Sequence, residues 1–180
     1  MRTVVAYMLV SVDGVAQDPE TFVFDFDGVM EANLTEVIGA QETVLLGRRM
    51  YDEWSRYWPQ SEEQPFAGFI NSVQKYVATA TPLTNGWTNA AAIDGPVGDF
   101  VRELKAADGG DIGVHGSISL TQSLLAAGLV DELRLVIAPR VVGTGRRLFE
   151  DGHAYALELV QSMGTPTGSL LVHYRATHAG

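Results

Sequence analysis

The sequence predicts an α/β fold: three layers, αβα, with a mixed, mostly parallel central sheet covered by helices on both faces. Three observations predict it. Short β-branched runs alternate with amphipathic segments along most of the 180 residues. The stretch Asp111 to Phe149 reads as strand, tight turn, helix and strand in direct succession. The last two strand-like segments are joined by Gly164-Thr165-Pro166-Thr167-Gly168, which reads as the turn of a C-terminal antiparallel hairpin. About eight strands and four or five helices are expected, in a single domain spanning residues 1–180.

Thr3 to Val10 is aliphatic and β-branched and ends at Ser11-Val12-Asp13-Gly14, so it reads as a buried strand running into a turn. Phe22, Phe24 and Phe26 alternate with Val23 and the acids Asp25 and Asp27, a spacing that puts three rings on one side of an apolar pocket or of the core edge. Met30, Leu34, Val37 and Ile38 follow at helical spacing. Thr43 to Leu46 is the next strand. Gly47-Arg48-Arg49 opens a helix with Met50, Trp54, Tyr57 and Trp58 on its buried stripe. Ser61 and Gln64 have capping-box spacing ahead of Phe66, Phe69, Ile70 and Val73. Lys75 to Thr79 and Asn89 to Ile93 are strands. Asp94-Gly95-Pro96 starts a helix burying Val97, Phe100, Val101 and Leu104, which Gly109-Gly110 ends.

Within the 111–149 unit, Ile112 to His115 is a strand and Gly116-Ser117 its turn. The spacing of Ser119 and Gln122 predicts a capped helix start, and Gly128 stands where a left-handed C-terminal residue belongs. Asp131 to Ala138 is the second strand, and Asp131-Glu132 reads as a solvated acid pair. Tyr155 to Gln161 and Ser169 to Ala176 complete the hairpin.

Composition narrows the function. A formal charge of −10 with only 12 scattered Lys and Arg argues against nucleic-acid binding. Absence of cysteine excludes disulfides, thiolate nucleophiles and cysteine metal sites. The N-terminal apolar run is too short for a signal peptide or a membrane span, so a cytoplasmic protein is expected. His115, His153, His173 and His178 show no metal-ligand spacing, and no metal is expected. Gly143-Thr144-Gly145 lacks the third glycine of a dinucleotide fingerprint, and neither a P-loop nor a G-x-S-x-G elbow occurs.

What remains is a set of strand ends. Gly14, Gly47, Thr79 and Gly116 all fall at carboxyl ends of predicted strands, where ligands of such sheets bind. The Gly116-Ser117 turn offers backbone N–H groups and a helix dipole to an anion. Arg48 and Arg49 are the best local phosphate partners in so acidic a chain.

The strand ends Ser11-Val12-Asp13-Gly14, Leu45-Leu46-Gly47-Arg48-Arg49, Lys75-Tyr76-Val77-Ala78-Thr79, Val114-His115-Gly116-Ser117 and Leu129-Val130-Asp131-Glu132-Leu133 precede Gly143-Thr144-Gly145 and Phe149. In that order they give a chain that resembles the dihydrofolate-reductase-like proteins of the RibD C-terminal type. The resemblance implies an NADPH-dependent reductase acting on a small heterocyclic substrate, similar to the 5-amino-6-(5-phosphoribosylamino)uracil reductase domain of riboflavin biosynthesis, and a homodimer. NADH is kept as an alternative cofactor, and a non-catalytic nucleotide- or ligand-binding module as an alternative function.

By the same resemblance, the backbone near Leu9 holds the nicotinamide carboxamide. Gly47 and Arg48 meet the cofactor phosphates, Arg48 and Thr79 lie near the 2′-phosphate, and Gly116, Ser117 and Ile118 line the pyrophosphate. Met50 and Ala80 depart from the family pattern, since relatives often carry Thr and Arg there. Asp13, near the nicotinamide end, and Asp25 or Asp27, bordering the substrate, are the candidate proton donors.

Overall fold

The N-terminal apolar run becomes the central strand β1 (Val4–Ser11), and its alternation dictates the layers. Val4, Ala6, Met8 and Val10 enter one core and Val5 and Tyr7 the other, all buried. A strand apolar on both faces needs a layer on each. In this computed structural model, which describes residues 1–150 and 152–177, both layers are present.

One face is covered by α1 (Gly28–Gly39), α2 (Arg48–Tyr57) and α3 (Phe66–Ser72), which bury Met30, Leu34, Tyr51 and Ile70. The other carries α4 (Val97–Ala106) and α5 (Ile118–Ala126), with Val101, Leu120 and Leu124 inside. The remaining strands are β2 (Gln41–Gly47), β3 (Gln74–Ala78), β4 (Ala90–Ala92), β5 (Asp111–His115), β6 (Glu132–Ala138), β7 (Ala156–Gly164) and β8 (Leu170–Thr177). They form one sheet in the order β4-β3-β2-β5-β1-β6-β8-β7. β1 to β6 run parallel, and the expected terminal hairpin pairs antiparallel on β6 through β8. No described helix is long and apolar enough to cross a membrane.

Several helix boundaries differ from the expectation. The 119–122 capping box does not form. Ser117 is the N-cap, while Ser119 lies inside the helix with its hydroxyl accepting from Arg146 Nη1 at 2.9 Å. The Gln122 side-chain amide reaches the Leu148 carbonyl at 3.1 Å instead of turning back. Likewise α3 starts at Phe66 behind Pro65, and Ser61 accepts only from Glu63 N. At the other end of α5 the prediction holds. Gly128 is left-handed at φ 65°, and the N–H groups of Gly128 and Leu129 reach the carbonyls of Leu125 and Leu124, a Schellman closure.

On α2 the buried ring is Tyr51, not Tyr57, which is exposed; Trp58 lies beyond the helix in a 3-10 turn. The three phenylalanines do not share a side. Phe22 is buried with Val15 and Ala138, whereas Phe24 and Phe26 are exposed, because the segment is irregular rather than a strand.

Asp27 N-caps α1, accepting from Val29 N and Met30 N at 3.0 Å each. Asp27→Ala should therefore lower the midpoint of urea unfolding through the lost cap.

Candidate functional site

β5 stops early. Its ladder with β1 ends at Tyr7–His115 and its ladder with β2 at Leu45–Val114. By contrast, β1 and β6 continue to Ser11–Ala138, and β2 and β3 to Gly47–Ala78. The result is a notch at the carboxyl end of the sheet, between Leu9 on one side and Gly47 on the other. It coincides with a reversal of direction. From β2 the chain proceeds outward to β3, and from its neighbour β5 it crosses to β6, so their helices α2 and α5 leave on opposite faces. Ligands of open α/β sheets bind at such a switch point.

The turns on either side of the notch are tied together. Gly47 N–H donates to Ser117 Oγ at 2.9 Å, joining the start of α2 to the start of α5. Gly47 and Ser117 are the two N-caps, and neither helix receives a side-chain cap. First-turn N–H groups without intrahelical acceptors therefore converge there, backed by two dipoles. The Ser117 hydroxyl still has its own proton to donate. Gly116 holds φ 64°, and a Cβ there would lie 3.1 Å from Met50 Cε and from Trp54 Cζ2. Met50 thus packs against the Gly116 turn.

Arg48 and Thr79 are brought together, with Nη1 to Oγ1 at 3.2 Å. The same guanidinium bonds the Thr81 hydroxyl at 2.5 Å and the Asp52 carboxylate through Nε at 2.9 Å. Thr81, which follows Thr79 and Ala80 at the end of the strand, supplies a second hydroxyl to this guanidinium. Arg49 turns elsewhere, to Glu53 at 2.8 Å and Asp18 at 3.5 Å, and is mostly exposed.

Beside the notch opens a cleft of about 810 Å³, floored by Tyr7, Leu9 and His115 and walled by Trp54, Trp58, Phe66, Phe24 and Phe26. His115 is buried, and its Nε2 lies 2.8 Å from Gln41 Oε1. Burial pushes its imidazole down to about 3 from the ordinary 6.5, so it is neutral at pH 7. The unfolded chain binds a proton on this residue between those values and the folded one does not. Its contribution to stability is present above pH 6.5 and is lost as pH falls toward 3, by at most about 1.4 kcal/mol per pH unit. Urea unfolding from pH 7.5 to 4 should show a shallower acid decline in His115→Gln than in the parent.

The three aspartates are placed differently. Asp13 accepts from the Ser11 hydroxyl at 2.6 Å, Val142 N at 3.0 Å and Gly143 N at 2.8 Å. These bonds, that from Ser11 first, hold its carboxyl well below the usual range. Asp27 is depressed too, chiefly by the Thr167 hydroxyl. Carboxylates so held are ionised acceptors with no proton to give, and both serve as clamps: Asp13 pins the Gly143-Thr144-Gly145 loop beside Gly14, and Asp27 starts α1. Asp25 is exposed on the loop between them.

Asp131 is not solvated as expected. Lys105 Nζ lies 2.6 Å away, and Val4 N donates to the same carboxylate at 2.8 Å. Its partner in the sequence, Glu132, faces His173 at 2.9 Å. Among the described residues no cluster of His, Cys, Asp or Glu could hold a metal, and His178 lies outside them.

Sequence reasoning missed Tyr7, Trp58 and Phe66. Tyr7 was hidden in the apolar run of β1, although its spacing of two from Leu9 puts both on one face. Trp58 and Phe66 come from separate elements and meet in the cleft wall with ring centroids 4.8 Å apart.

Comparison with known proteins fits this geometry. The family model of the RibD C-terminal domain matches residues 2–171. The uncharacterized protein YyaP of Bacillus subtilis (strain 168) is 35% identical over 126 residues, covering 67% of this chain and 66% of that one. Among solved structures, a Shewanella sp. PV-4 protein described in terms of riboflavin biosynthesis has TM-score 0.77 at 16% identity, over 98% of this chain and 99% of that one. The Thermotoga maritima diaminohydroxyphosphoribosylaminopyrimidine deaminase/5-amino-6-(5-phosphoribosylamino)uracil reductase has TM-score 0.69 at 14% identity, over 98% of this chain and 57% of that one. With the eight-stranded mixed sheet, the terminal hairpin and a match running from Arg2 to Leu171, the chain belongs to the RibD C-terminal domain family.

Proposed function

We propose that this protein is an NADPH-dependent reductase of a small heterocyclic substrate. The observation that carries the reading is the notch, where two helix starts without side-chain caps meet 2.9 Å apart through Gly47 and Ser117, next to the Arg48–Thr79–Thr81 cluster. A dinucleotide diphosphate needs this combination of N–H donors and positive dipole ends.

In this reading the first turns of α2 and α5 hold the pyrophosphate, and Arg48 with Thr79 and Thr81 holds the 2′-phosphate. The backbone of β1 around Leu9, which has no strand beside it toward β5, bonds the carboxamide. NADPH supplies a hydride when bound. The chain's own part is to orient the ring over the cleft floor, with Trp54 and Phe66 excluding water, and to keep His115 neutral there. Because Asp13 and Asp27 are committed as clamps, the substrate takes any proton from solvent or from another cleft group.

In the same reading a second copy of the chain packs on the edge strand β7, a proposal supported by the exposed Leu159, Val160 and Met163.

Titration of tryptophan fluorescence with NADPH and NADH tests the reading, since Trp54 borders the Gly116 turn. Saturable binding with NADPH the tighter of the two is expected. No binding of either in the low millimolar range sinks it.

A further inference from the structure

The cleft beside the notch has a chemical character of its own. Four of the residues lining it are glutamates, Glu20, Glu31, Glu53 and Glu63, and none is Lys or Arg. All four stand on its exposed rim. Arg49 lies within 2.8 Å of Glu53, and Arg140 stands over the outer ring of Phe24 at 5.8 Å, so positive charge reaches the rim only from outside.

The interior is aromatic. Trp54 and Phe66 meet edge to face with centroids 5.5 Å apart, and Trp58 and Phe66 do so at 4.8 Å. Two polar atoms of the lining residues, the Tyr7 hydroxyl and the Trp58 indole N–H, are buried without a hydrogen-bond partner in the chain. Tyr7 is only 5% exposed and forms part of the floor. A buried donor is costly to leave unpaired, so a small shift of the cleft wall that opens either atom to a ligand acceptor is favoured.

We infer that the substrate side takes an unphosphorylated heteroaromatic ring, neutral or cationic, whose carbonyl or ring-nitrogen acceptors bond Tyr7 and Trp58 while its faces lie on the aromatic walls. A phosphate dianion would be repelled by the carboxylate rim and would find no cation among the lining residues. This inference rests on reading the cleft as the substrate side of a reductase.

The test is calorimetric titration, without cofactor, of matched pairs differing only in one phosphate: riboflavin and FMN, thiamine and thiamine monophosphate, uridine and UMP. At about 20 mM salt the unphosphorylated member of each pair that binds should be tighter by about tenfold or more, and the gap should narrow at about 0.5 M salt as the rim is screened. In the double variant Glu20→Gln/Glu31→Gln the gap should also narrow. Tyr7→Phe should keep or raise the melting temperature, since no bond within the chain is lost, yet weaken ring binding about five- to tenfold. A smaller or inverted preference, or no pair binding below about 1 mM, overturns the inference. NADPH is titrated separately into the same protein. Failure of NADPH with the ring preference intact removes the reductase reading alone, and loss of the ring preference with NADPH binding intact removes this one alone.

Discussion

Gly116→Val is expected to destabilise the protein by about 3–5 kcal/mol and to abolish NADPH binding in whatever remains folded. Two separate physical terms add. At φ 64° a β-branched side chain is strained whatever the space around it, and here the space is filled as well, with Met50 Cε and Trp54 Cζ2 each 3.1 Å from the new Cβ. The turn cannot move away freely, because Ser117 is tied to Gly47 and α5 packs its first residue, Ile118, into the core. Gly95→Ala is the comparison. Gly95 has a similar φ of 77° but nothing near its Cβ, so it should cost only about 1 kcal/mol and leave cofactor binding unchanged. Thermal melts separate the two, and NADPH titration shows whether the Gly116 turn belongs to the site.

Arg48→Ala is expected to raise the Kd for NADPH by about 10–100-fold and that for NADH by no more than about threefold. The asymmetry follows from position. Arg48 Nη1 is gathered with Thr79 and Thr81, at the end of the notch assigned to the 2′-phosphate that NADH lacks. Stability should change by less than about 1 kcal/mol, since the Arg48–Asp52 pair lies near the surface, with side chains 29% and 33% exposed. Arg48→Lys should recover only part of the affinity, because one ammonium cannot reproduce the fork that spans Asp52, Thr79 and Thr81. Equal losses for the two cofactors would move Arg48 to the pyrophosphate.

The fold was legible because its determinants are local and repeated. β1 is apolar on both faces, β6 alternates, and the left-handed Gly128 closes α5 as its place in the chain requires. The two S-x-x-Q spacings misled for one reason: a capping box needs backbone geometry that the side chains do not dictate. Ser119 is drawn to Arg146 from 27 residues away, and Pro65 sets where α3 begins. Asp131 was read as solvated because Lys105, its partner across 26 residues, is invisible to any local pattern.

The site divides along the same line. Gly47, Arg48, Thr79, Gly116 and Ser117 could be found as strand-end residues, and the sheet gathers them at the switch point between β2 and β5. The cleft could not be found that way. Its floor comes from the middle of β1 and the end of β5, its walls from α2, the 3-10 turn after it, α3 and the irregular loop after Phe22, and its acids from four separate segments. Only tertiary packing brings Tyr7 and Trp58 into the lining of one cleft. The proton donors sought among Asp13, Asp25 and Asp27 illustrate the limit from the other side, since an acid next to a glycine or before a helix is as good a clamp as a catalyst.

A crystal structure of the protein soaked with NADPH tests the central claim most directly. The account predicts pyrophosphate density against the backbone of Gly47 and Gly116–Ile118, the 2′-phosphate at Arg48 and Thr79, and the nicotinamide over Leu9 facing the Trp54 and Phe66 walls. Density for the dinucleotide elsewhere on the molecule, or a notch left empty at saturating NADPH, would contradict it.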